Sequence, residues 1–183
     1  MNEVVTDAQE AVFTAKRQLN ALTNTIKNSP DEKSSGHILF NDVVRCVCLP
    51  HLESSKQRLV KINSDTALSI QYAWVLKKVS LSVSLSQVAA STTELAFERK
   101  TDMFELKIKT DPSHHNQAYV ILTLRQSTQA QREVAVHLHC CLGQEYSVVS
   151  FPALSNSNSQ ILLAMDEQYF RVISNPDTQI HLT

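Results

Sequence analysis

Only two glycines occur in 183 residues, Gly36 and Gly143, and this constrains the chain more than any other feature. Loops that cradle phosphate, dinucleotide fingerprints and the strained elbow that carries a hydrolase nucleophile all need clustered glycine. The backbone there must approach a ligand closely or adopt positive φ. The sequence therefore argues against nucleotide-binding and hydrolase architectures of those kinds. Its turns fall instead to Asn, Asp, Ser and Pro, as in NSD (63–65), DPSHHNQ (111–117), SNSNSQ (155–160) and NPD (175–177).

An apolar fraction of 43% is enough for a buried core. With 17 Lys and Arg against 18 Asp and Glu, the chain is close to neutral and has no global field to steer nucleic acid or an acidic membrane. No apolar run approaches the roughly 20 residues that cross a bilayer, so no membrane insertion is expected. The opening MNEVVTDAQEAVF lacks the basic start and apolar stretch of a secretory signal. These features predict an intracellular protein, in cytoplasm or nucleus, with its four cysteines reduced.

Hydrophobic period divides the chain. Val5, Val12, Leu19 and Ile26 recur every seven residues, with Ala8, Ala15 and Leu22 between them, which predicts a coiled-coil-like helical arm over 1–27. NSPDEKSSG (28–36) reads as a linker. From residue 37 to 183 the period is read as two. The sharpest case is VSLSVSLS (79–86), and further strands are expected in 37–49, 57–62, 67–76, 93–99, 103–109, 118–126, 133–142, 145–151, 161–165, 168–174 and 178–183. Many short strands without amphipathic crossover helices predict a mainly β fold, an antiparallel sandwich or barrel behind an N-terminal helix.

Two clusters could carry chemistry. In HLHCC (137–141), alternation puts His137, His139 and Cys141 on one strand face and Leu138 and Cys140 on the other. In CVCLPH (46–51), read as a strand, Cys46 and Cys48 share a face with His51 just beyond. Structural zinc sites usually use a C-x2-C knuckle, whereas C-x-C on a strand separates the sulfurs by roughly 6–7 Å. The expected reading is thus ordinary strand residues, with the histidines facing solvent. The HxH strand with a downstream acid resembles part of the metal motif of cupins, jelly-roll oxygenases and isomerases. That resemblance implies His137 and His139 as ligands and Glu145 as the nearest acid, although the acid lies further along than in that family and the flanking glycines are missing.

Glu94, Glu98, Asp102 and Glu105 read as exposed charges, not as a paired acid and base. Tyr72 and Trp74, alternating with Ile70 and followed by Lys77 and Lys78, suggest an alternative: one edge of a small nucleic-acid-binding barrel, which the neutral net charge disfavours. No catalytic residue, bound metal or cofactor is expected. The arm is short for an isolated helix, about three to four heptads, so its seam must be buried against something. The expected function is a non-catalytic interaction module, a scaffold or adaptor subunit. It would engage a protein partner or a second copy through Val5, Ala8, Val12, Ala15, Leu19, Leu22 and Ile26 and through its β-sheet surface.

Overall fold

The computed structural model describes residues 37–85, 97–125 and 135–183; the expected arm and linker lie outside them. The chain divides between Leu81 and Ser82 into two compact units.

The described part of the first unit is helical: α1 is Phe40–Cys48, α2 is Glu53–Ser64 and α3 is Thr66–Val79. This corrects the expectation of strands over 37–49, 57–62 and 67–76. The apolar residues of these segments serve a helical period once every position is considered. Val43, Val44, Cys46 and Val47 form the buried side of α1, and Ser69, Tyr72, Val75, Leu76 and Val79 that of α3. The alternation of Leu68, Ile70, Tyr72 and Trp74 was coincidental. Asp65 starts α3 by accepting hydrogen bonds from the N–H groups of Ala67 and Leu68, at 2.8 and 3.1 Å. Polar ties join the helices: Arg58 pairs with Asp42 at 3.2 Å, and the Ser69 hydroxyl donates to the Ile62 carbonyl at 2.7 Å.

The second unit is mainly β. Its elements are β1 (Ser82–Ser84), β2 (Phe97–Lys100), β3 (Phe104–Thr110), β4 (Gln117–Leu124), β5 (Val136–Leu142), β6 (Glu145–Phe151), β7 (Asn158–Ala164), α4 (Gln168–Ser174) and β8 (Gln179–Leu182). All strand pairs are antiparallel, in two four-stranded sheets ordered β1-β8-β5-β6 and β2-β3-β4-β7. Two expectations need correction here. The 79–86 strand shrinks to β1, because Val79 belongs to α3, and 168–174 is α4, which buries Phe170, Val172 and Ile173.

Scarce glycine shows in the turns. Gly143 takes φ +64 in the β5–β6 hairpin. The β6–β7 turn has no glycine, and Asn156 and Ser157 take φ +50 and +67 themselves, closed by a two-way main-chain pairing of Ser155 and Asn158. Two successive positive φ values match the right-handed twist of a hairpin, and Asn tolerates them better than Ser does.

Arg99 of β2 has no exposed surface. Its guanidinium donates to the carbonyls of Asn175, Pro176 and Thr178, in the segment joining α4 to β8, and to that of Leu85. Beside it stand the Phe97 ring and the Cys140 thiol. The cation is tolerated in a core of Phe104, Leu106 and Leu138 because several carbonyls replace its lost water.

Candidate functional site: a histidine face and an exposed aromatic patch

Strand β5 does put His137, His139 and Cys141 on one face, as alternation requires. The expectation that this face meets solvent is corrected: His137 is 8% exposed and His139 0%. β5 is an interior strand, flanked by β6 and β8, so side chains of both neighbours crowd its histidines. His137 Nδ1 shares a hydrogen bond with Ser150 Oγ at 2.9 Å, and His139 Nε2 shares one with Thr183 Oγ1 at 3.1 Å. Directly opposite His139 stands His181 of β8, also buried, which sequence reasoning did not single out. Its signal was present in the alternation of QIHL. Burial holds the His181 imidazole down at about 4, so it is neutral at neutral pH.

These side chains are not brought together as a metal site. Among the described residues no group of three or more His, Cys, Asp or Glu is placed to hold an ion. Glu145 stands opposite Leu142, so it takes the face of Leu142 and not that of the histidines, and it accepts a hydrogen bond from the Gln168 amide at 2.6 Å. The cupin-like set of His137, His139 and Glu145 is therefore not assembled. Cys46 and Cys48 lie on a helix, where residues two apart point in different directions, so their expected shared face is also corrected. Cys46 is buried and donates to the Ser55 carbonyl at 3.6 Å, while His51 is exposed.

The thiols are poorly placed for nucleophilic work. Burial pushes Cys46 and Cys48 up to about 11 and Cys140 to about 12, and it raises Cys141 as well. All are protonated at neutral pH, and a thiol attacks as its thiolate. The acids on β2 and β3 are committed elsewhere: Glu98 and Glu105 interleave with Lys100 and Lys107 at 2.6–3.8 Å. Hydrogen bonding from Lys100 leads the effects that draw the Glu98 carboxyl down to about 2.

A different surface stands out on the helical unit. Trp74 is 56% exposed on α3, and Ile70, one turn earlier on the same side, is exposed too. The Phe40 ring at the start of α1 lies against Trp74, with centroids 6.2 Å apart and planes tilted by 56°. The Lys78 ammonium sits 5.9 Å from the Trp74 ring centroid, and Leu39 extends the patch beyond Phe40. Helix α3 is thus apolar on two sides, one buried through Tyr72, Leu76 and Val79 and one open through Ile70 and Trp74. A helix apolar on both sides ordinarily has a cover on each. Tyr72 and Trp74 consequently occupy different sides of a helix, and the strand-borne stacking platform expected of a nucleic-acid-binding barrel is not formed.

The seam residues Val5, Ala8, Val12, Ala15, Leu19, Leu22 and Ile26 lie outside the described residues. No helix among the described residues is long and apolar enough to cross a membrane. Comparison with models of known protein families, with curated proteins and with solved structures finds no match to this chain.

Proposed function

We propose that the protein is a non-catalytic interaction subunit of a larger assembly, a β-sandwich carrying helical elements through which it grips a protein partner. The observation that carries this reading is the exposed Phe40, Ile70 and Trp74 patch. Contiguous apolar surface of this kind marks interaction sites, and tryptophan is the residue type most often found at their energetic centre. The arm seam, with Val12 and Leu19 at its middle, is the second contact. The buried histidines, protonated thiols and ion-paired carboxylates are compatible with a scaffold role.

The test pairs charge substitutions in the two contacts, Val12→Asp with Leu19→Asp and, separately, Trp74→Asp, with capture of partners from the native source. The expected outcome is loss of the same captured protein in both variants, with the far-UV dichroism unchanged. Truncating a central tryptophan contact costs about 2 kcal/mol or more, roughly a thirtyfold weakening. If the arm variant unfolds the whole chain, the arm is internal structure and this interface does not exist. Capture that survives Trp74→Asp removes the patch from the interface.

A further inference from the structure

The two sheets have four edges, and the chain blunts three of them. β1 is only three residues long. β2 carries Glu98, Arg99 and Lys100 within its four residues, with the Glu98 and Lys100 side chains locked in ion pairs. β6 buries Tyr146, Val149 and Phe151, leaves Val148 half-buried, and runs into Pro152. Short length, charge and proline are the usual devices that keep an edge from pairing with another chain.

β7 has none of them. NSQILLA contains no charge and no proline, and none of Ile161, Leu162 and Leu163 is buried. Leu162 is 46% exposed on the face it shares with Tyr119. Ile161 and Leu163 lie opposite fully covered Val120 and Ala118, yet they are only half-buried themselves, so apolar surface is open on both sides of this strand. The main chain is open as well. Asn158 turns its N–H and C=O away from β4, onto Ser155, while Ser157 and Met165 bond toward β4. By strict alternation, Gln160 and Leu162 also turn their N–H and C=O groups outward, as does Ala164, whose C=O already accepts the Glu167 N–H at 3.1 Å; no strand among the described residues lies along that side.

We propose that β7 is a dimerisation edge, occupied by β7 of a second copy of this chain in antiparallel pairing. This rests on the reading of the chain as an interaction subunit and names one of its partners. A twofold axis through Leu162 is self-complementary. Leu162 meets its own counterpart and exchanges both main-chain hydrogen bonds with it, while Gln160 meets Ala164 of the second copy, whose N–H gains the Gln160 carbonyl and whose C=O, already bound to the Glu167 N–H, takes the Gln160 N–H on its second lone pair. On the other face Ile161 comes opposite Leu163 of the second copy, which covers the half-buried pair. The absence of charge on β7 means that nothing repels across the axis. The two β2-β3-β4-β7 sheets become one continuous sheet.

The experiment measures the mass of the full chain in solution by light scattering after size exclusion. The expected result is twice the chain mass for the native protein and for Val12→Asp with Leu19→Asp, and a single-chain mass for Leu162→Lys. Leu162 is exposed, so the lysine variant keeps its fold, which far-UV dichroism checks. A second arm tests the register: Leu162→Cys forms a disulfide-linked dimer on mild oxidation, because Cα atoms about 5.5 Å apart across a hydrogen-bonded pair are within bridging range. Gln160→Cys and the native chain do not. A native chain of single mass, or a Leu162→Lys chain that stays dimeric, overturns the proposal. Dimerisation lost only in the arm variant also overturns it, while leaving the interaction-subunit reading in place.

Discussion

His181 faces His139 across the β5–β8 ladder, with Val83 on its other flank, and is only 9% exposed. Burial disfavours its charged form, so its folded value of about 4 lies below the ordinary 6.5. The folded chain therefore binds fewer protons than the unfolded chain between these values. The contribution to stability is complete above pH 6.5 and is lost as pH falls toward 4, by roughly 3 kcal/mol in all. Denaturation midpoints of the native chain and of His181→Asn, measured from pH 7 to pH 4, should differ by this pH-dependent component. Parallel curves would show that His181 is not the group responsible. The strand face itself was legible: HLHCC divides as alternation requires. What the sequence hid was burial, because His137 and His139 become covered only through residues such as Ser150, Val148 and Thr183, brought in from β6 and the end of β8.

Among elements, those on β5, β6, β3 and β4 could be located from period two, since Phe104, Leu106 and Ile108, or Ala118, Val120 and Leu122, supply one buried face each. The helices were misread for a definite reason. α1 is rich in Val43, Val44 and Val47, whose branching favours strands, and α3 interleaves an exposed apolar side with a buried one, which erases the contrast a helical period depends on. The missed signal was Asp65, a capping residue followed by Ser69, Tyr72, Leu76 and Val79 at helical spacing. Its loss is expected to matter. Asp65→Ala removes the carboxylate oxygen that accepts both capping hydrogen bonds and should destabilise the helical unit by about 1 kcal/mol, read as a lower denaturant midpoint in Trp74 fluorescence. An unchanged midpoint would mean that α3 is held by its packing alone.

For the whole molecule, the boundary between Leu81 and Ser82 was not legible, because only Ser80 and Leu81 separate α3 from β1 and no polar linker marks the change. The single tryptophan, Trp74, lies in the first unit. Its fluorescence should therefore follow a different unfolding transition from the far-UV signal of the strands. Coincident transitions by both probes would show that the units unfold as one. The mainly β character was recoverable from turn chemistry and period. The partner surfaces were not, since an exposed Trp74 and an open β7 become visible only once the neighbours of each are known.

The pairing of β1 with β8 has one more consequence. The first and last strands of the second unit are neighbours in one sheet, with Ser82 opposite Leu182. Its entry and exit points therefore lie side by side, as in units that tolerate insertion into a host loop or a change in where the chain starts. A rearranged gene joining residue 183 to residue 82 through a short spacer, and opening at the Gly143 hairpin, would keep every strand pair. In that sense the order of its strands in space is independent of where translation begins.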